Sequence, residues 1–246
     1  MTSDSEMLDV TGRVAMISGA SRGIGAAIAT RLLDDGYRVS LGVRNVPFTR
    51  KAFAGYPPEK LLIESFDAAD PATAERWIES TMQYFGELHA LVNNAGIYRL
   101  VNYEEGSDAD LDDLWEVNVK APFRLTRLAM PALKQCGNGR IVNVASTDGL
   151  RFRDNSASVG YTMSKHALVA MTHAARQFGY ADGVRATALC PGAVDTDMVA
   201  GLASVTPAAG RLAPGTVAGL VATVLSLPNN ASVALLPVNT RAESTL

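Results

Sequence analysis

Apolar and polar positions follow two rhythms along this chain. Short, nearly unbroken apolar runs occur at 14–17, 38–43, 61–66, 88–92, 140–144, 184–189 and 233–238. Runs of that length, bounded by turn residues, read as buried strands. Between them lie stretches with helical spacing at 24–33, 72–85, 111–133, 161–178 and 214–225. Asp70 and Pro71 stand where an N-cap and a first helical residue belong, Gly36 stops the first helix, and Pro122 interrupts the third. Strand and helix in turn imply βαβ crossovers. The expected fold is α/β: a doubly wound, mostly parallel sheet of about seven strands with helices on both faces. No linker divides the chain, so 1–246 is expected to be one domain. Segment 1–11 is polar and acidic and reads as a flexible N-terminal extension. The Gly/Ala/Pro-rich segment 196–215 follows a strand and reads as a loop over the substrate.

Composition narrows the function classes. The chain has 246 residues, 48% of them hydrophobic, enough for a large core. With 22 Lys plus Arg against 25 Asp plus Glu, the net charge is −3, without the basic surplus of a nucleic-acid binder. Cys136 and Cys190 are too far apart for a metal or redox pair. The start lacks a basic region followed by an apolar one, and no run approaches a spanning helix. The expected compartment is therefore the cytoplasm, and the sequon at Asn230 reads as chance.

The most informative turn is Ser18-Gly19-Ala20-Ser21-Arg22-Gly23-Ile24-Gly25, between the first strand and the first helix. Glycines there permit a tight turn and close approach of backbone to ligand. The helix N-terminus that follows offers N–H groups and partial positive charge to a pyrophosphate. The same residues also fit G-x-S-x-G, a nucleophile elbow with Ser21 as the attacking group. A serine hydrolase would need a histidine late in the chain, but the last of the three histidines is His173.

The glycine spacing is Gly-x-x-x-Gly-x-Gly. In this the chain resembles the short-chain dehydrogenase/reductase family in its classical form, and the resemblance runs over nearly the whole length. It implies a Rossmann fold and a nicotinamide cofactor. The second strand ends Gly42-Val43-Arg44-Asn45, with no carboxylate for a ribose 2′-hydroxyl. Arg44 suits a 2′-phosphate, with Arg22 as a second cation, so NADP(H) is favoured and NAD(H) is the alternative. By resemblance, Asp67 meets the adenine amino group. Asn94 steadies the sheet, while Asn93, Ala95 and Gly96 line the cofactor. After the sixth strand, Pro191, Gly192, Val194 and Thr196 meet the nicotinamide, shielding one face so that the pro-S hydride is transferred.

Tyr161 and Lys165 stand at i and i+4, on one helix face. A nearby ammonium favours a phenolate, so the tyrosine can act as general acid or base. Asn118, Ser146, Tyr161 and Lys165 match the family's catalytic tetrad in order. The resemblance then implies transfer of a hydride between nicotinamide and a carbonyl or secondary alcohol. Ser146 orients the substrate oxygen, and Lys165 and Asn118 relay the proton. Loss of turnover would leave a dinucleotide-binding sensor or scaffold of the same fold.

Two features depart from the family's commonest pattern. Ser146 and Tyr161 are fifteen positions apart, with Asp148, Arg151, Arg153 and Asp154 in the insert. These read as solvated loop charges, with Arg151 or Arg153 holding an acidic substrate group as the alternative. The ending, Pro237 to Leu246, lacks the Asp-Gly-Gly of many relatives and is similar to that of the family's 3-hydroxy-acid and serine dehydrogenases. A homo-oligomer, dimer or tetramer, is expected.

Overall fold

The computed structural model describes residues 6–200 and 206–240. The last residues of the expected C-terminal tail, part of the 196–215 loop and the first residues of the 1–11 extension lie outside the described residues. Seven strands form one parallel sheet in the order β3-β2-β1-β4-β5-β6-β7. They are β1 Val14–Ser18, β2 Arg38–Val43, β3 Leu61–Ser65, β4 Ala90–Asn93, β5 Arg140–Val144, β6 Arg185–Pro191 and β7 Leu235–Val238. The order reverses between β1 and β4, so the loops leaving those two strands part and open a crevice at their carboxyl ends. The expected doubly wound Rossmann fold is the one observed.

Alternation along β1 explains the layers. Ala15 and Ile17 pack on α1 (Gly23–Asp34) and α8 (Pro214–Ser226), through Ile28, Leu32, Val217 and Val221. Val14 and Met16 face the other way, toward Trp77 of α3 (Pro71–Phe85) and Leu125 and Leu133 of α5 (Ala121–Gln135). Both faces are covered, which is why the strands read as continuous apolar runs rather than alternating ones. Gly42 of β2 belongs to this packing. A Cβ there would meet the Trp77 ring at 2.6 Å. Among the described residues no helix is long and apolar enough to cross a membrane.

Several elements differ from the sequence reading. A short helix, α2 (Val46–Ala52), follows β2, with the Asn45 side chain accepting from Phe48 N at 3.0 Å. The third long helix begins earlier than expected, as α4 (Asp108–Trp115), behind a capping box of Ser107 and Asp110. It then passes through a π turn, Glu116–Lys120, into α5. Pro122 has no N–H to close an α-helical bond onto residue 118. The chain stays helical through Pro122 by widening one turn instead of breaking, and Ala121 N donates to Glu116 O.

Candidate active site

A cleft of about 590 Å³ opens at the carboxyl ends of β1, β2, β4, β5 and β6. Its floor is the glycine turn, where Gly19 (φ +69°) and Gly23 (φ +59°) take left-handed backbone that favours glycine. A Cβ on Gly19 would lie 2.8 Å from Ala95 Cα, so the β1 and β4 loops touch backbone to backbone. Ser18 Oγ accepts from the N–H groups of Asn94 and Ala95, both at 3.0 Å. Asn94 Nδ2 returns bonds to Ser18 O and Gly19 O at 3.0 and 3.1 Å. α1 then starts with no side-chain cap and no acid in its first turn. By contrast α2, α3, α4 and α6 (Val159–Gly179) are all capped by side chains. α8 also starts without a side-chain cap, but of these two uncapped ends it is that of α1 that faces the cleft.

Most of the expected cofactor residues meet here. Gly19, Ser21, Arg22, Gly23, Ile24, Arg44, Asp67, Ala95, Gly96, Pro191, Gly192, Val194 and Thr196 all line the cleft. Two do not. Asn93 is turned into the protein, where Nδ2 donates to Asn143 Oδ1 at 2.8 Å and Thr126 Oγ1 at 3.1 Å. Asn93 and Asn143 are register partners on β4 and β5, so their side chains share a face beneath the helices, and Asn94 takes the cleft position instead. Gly25 packs against Gly19 O and the Asn94 side chain, so the turn itself requires its glycine. Ser21 Oγ accepts from Thr49 Oγ1 at 3.1 Å, with no histidine bonded to it. His89 Nδ1 accepts from Val14 N, at the far end of the sheet, and His166 bonds Thr162 O within α6. The nucleophile-elbow reading is therefore set aside.

The sequence reading missed other walls of the cleft. Asn45 and Phe48 of the α2 turn, Ala68 beside Asp67, Ile97 after Gly96, and Asp197, Met198 and Val199 of the short helix α7 (Asp197–Ala200) all line it. Their signal was position alone: each follows the carboxyl end of a strand.

The four expected catalytic residues converge. Ser146 follows β5 and caps a 3-10 turn, its Oγ accepting from Asp148 N at 3.1 Å. That turn lies on α6, where a Cβ on Gly149 would be 2.8 Å from Lys165 O. Lys165 is buried, and its Nζ donates to Val144 O at 3.0 Å and sits 5.6 Å from the Tyr161 ring centroid. Asn118 occupies the π turn. Its Oδ1 accepts from Ile97 N at 2.9 Å, while Nδ2 donates to Ile97 O at 3.0 Å and Ser164 Oγ at 3.1 Å. Gly96 brings the two together, since a Cβ there would meet Asn118 Oδ1 at 3.3 Å and Lys165 Nζ at 3.6 Å. Tyr98 packs its ring on Tyr161 at 5.2 Å between centroids.

The electrostatics differ from the sequence expectation. Tyr161 is pushed up from its ordinary value, chiefly by burial, then by the charge of Asp148, while Ser146 opposes the shift. Lys165 is lowered to about 8 by its own burial, with Cys190 opposing. In the protein alone the ammonium, bonded to Val144 O beside the ring, does not overcome desolvation of the phenol, so Tyr161 is held protonated. In the insert, Arg153 pairs with Asp154 at 3.2 Å and bonds Ser156 Oγ, a local loop contact.

Comparison with known proteins follows the same line. The chain belongs to the short chain dehydrogenase family, whose model matches residues 13–205. It is 40% identical over 221 residues to the agropine synthesis reductase of Rhizobium rhizogenes, covering 89% of this chain and 50% of that protein. The chain thus spans about half the length of these curated relatives. An alcohol dehydrogenase from the archaeon Thermococcus sibiricus, complexed with 5-hydroxy-NADP, superposes with a TM-score of 0.84 at 31% identity, covering 94% of this chain and 99% of that one. A 3-ketoacyl-(acyl-carrier-protein) reductase from Brucella melitensis, complexed with NADH, gives 0.85 at 27% identity, over 94% and 98%.

Proposed function

We propose that this oxidoreductase uses NADP(H) to interconvert a carbonyl compound and its alcohol, with Tyr161 as general acid and base. The observation that carries the reading is the meeting of Ser146, Tyr161 and Lys165 at one end of a cleft whose other end is an uncapped helix N-terminus. The cleft fits a dinucleotide. Gly19 and Gly23 shape the turn that leads into the uncapped N–H groups of α1, where a pyrophosphate would sit. Arg44, with Arg22, would hold the 2′-phosphate, and β2 ends without a competing carboxylate. Asp67 would meet the adenine and Ala95 and Gly96 the ribose. Pro191, Gly192, Val194 and Thr196 would meet the nicotinamide amide, with Tyr161 and Lys165 completing the wall. Bound NADPH supplies the hydride.

The chain's own residues do the rest. Ser146 donates to the substrate oxygen and orients it. The phenol of Tyr161, kept protonated by burial, is suited to give its proton to the carbonyl oxygen as the alkoxide forms. Lys165, lowered to about 8, is charged at neutral pH yet gives up a proton readily, so it replaces the one lost by Tyr161. Asn118, fixed at both ends of its amide, holds the route from Lys165 outward. Thr196 to Val199 of the 196–215 segment line the cleft. Exposed Trp115, Phe123 and Met163 support self-association as a dimer or tetramer.

The test is NADPH oxidation with a panel of ketones, aldehydes and 3-oxo acids. Turnover of at least one is expected. Tyr161→Phe should lower it about 10²–10⁴-fold with NADPH affinity retained. Silence across the panel, with NADPH still bound, would favour a dinucleotide sensor.

A further inference from the structure

The glycine turn is tied by charge to the segment after β6. Arg22, the N-cap residue of α1, donates from Nη1 to Asp197 Oδ2 at 3.0 Å. Asp197 opens α7, and the residue before it, Thr196, sits against the turn: a Cβ on Gly23 would lie 3.2 Å from the Thr196 methyl. Both members of the pair line the cleft. Arg22 therefore has an acidic partner already, on the very wall that a dinucleotide must pass.

A guanidinium engaged by a carboxylate has part of its donor fork committed. A phosphate that takes those donors must displace the carboxylate, and an aspartate left beside it repels its negative charge. Both effects have the same sign. We propose that Asp197 is a specificity-determining residue that competes with the 2′-phosphate of NADP(H) for Arg22, restraining the enzyme's preference over NAD(H). The exchange is of ion pairs only, with no covalent step. It rests on the NADP(H) reading above. The pair is open to solvent, with side chains 71% and 72% exposed, so the effect is modest. Exposed pairs correspond to roughly a two- to fivefold change in affinity.

The experiment needs no turnover and uses two fragments, adenosine 2′,5′-bisphosphate and adenosine 5′-monophosphate, titrated calorimetrically into the full chain. Asp197→Asn is expected to tighten the bisphosphate roughly two- to fivefold and leave the monophosphate unchanged. The gain should shrink as salt rises. In an Arg22→Gln background, Asp197→Asn should tighten the bisphosphate less than it does in the wild type, because only the direct repulsion remains once the contested cation is gone. Unchanged or weaker bisphosphate binding by Asp197→Asn, in a protein whose wild type prefers the bisphosphate, overturns the competition alone. Equal affinity of the wild type for both fragments overturns the NADP(H) preference as well.

Discussion

The two ends of the sheet both carry arginines and use them in opposite ways. At the amino ends of the strands, Arg13 and Arg140 are buried, at 7% and 2% exposure. Their terminal nitrogens are committed to the fold, while the buried Nε of each has no partner. Arg13 bonds Asn138 Oδ1 and O at 2.7 and 2.8 Å. Arg140 bonds Leu227 O at 2.6 Å, Asn229 Oδ1 at 3.0 Å and Gly139 O at 2.8 Å. Arg185, its register partner on β6, bonds Asn229 O. Burial, and after it the charges of the neighbouring Arg13 and Arg185, lower Arg140 to about 10. At the carboxyl ends, Arg44 is exposed and Arg22 holds one solvent-facing carboxylate. The lesson concerns commitment rather than charge. A cation whose donors are spent on backbone carbonyls clamps loops together, and one left at a cleft mouth is available to a ligand.

The largest test of this contrast is to remove a clamp. Arg140→Met keeps much of the stem but strips donors from Leu227 O and Asn229, leaving partly buried acceptors short of a partner. The expected cost is about 2–4 kcal/mol, a fall in melting temperature of roughly 5–15 °C. Specific activity of the folded fraction should not change. A melting temperature equal to wild type would break the contrast, and so would lost activity in protein that remains folded.

The same division explains what could be read from the chain alone. The strands were legible because both faces are covered, which leaves unbroken apolar runs such as Val14 to Ile17. The glycine turn, Ser146, and the Tyr161 and Lys165 pair were legible because each follows a strand end or shares one helix face. Asn93 was not. In a string of two asparagines the side that each faces depends on where β4 ends, and a shift of one residue exchanges them. The π turn was illegible for a related reason. Pro122 announces a missing donor but not whether the helix breaks or widens. Nor could sequence reveal that burial, and not the lysine, governs Tyr161, because desolvation depends on the closed packing of Tyr98 and the Ser146 turn around it.

A middle-sized test works at the opposite edge. Arg44→Asp replaces an uncommitted cation with the acid that a ribose 2′-hydroxyl would accept. Losing charge-assisted bonds to a phosphate is expected to weaken NADPH by about 1.5–3 kcal/mol, roughly 10–100-fold, while NADH holds or tightens. Melting temperature should stay within a degree or two, since Arg44 clamps nothing. The ratio of dissociation constants for NADPH and NADH reads this directly, and an unchanged ratio removes Arg44 from the cofactor site.

The smallest effect concerns a carboxylate in the turn after Ser146. Asp148, anchored through its backbone N–H on Ser146 Oγ, raises both Tyr98 and Tyr161 by its charge. On Tyr161 it acts in the same direction as burial, the larger cause. Asp148→Asn removes one of three raising influences, leaving burial and Tyr98, so the phenol ionises at lower pH than in the wild type. On the proposed mechanism reduction needs the protonated phenol, so its alkaline limb should move to lower pH. Oxidation needs the phenolate, so its rate on the alkaline side should rise. A partly solvated charge at this range changes such rates about two- to fivefold at fixed pH. Lys165, at about 8, is a control, because Asp148 is not among the groups that shift it. A pH profile of kcat in both directions separates the two. A limb that moves up, or that stays where it is while the lower one moves, would mean that Asp148 acts on Lys165 or on neither group. The carboxylate would then have no part in keeping Tyr161 a proton donor.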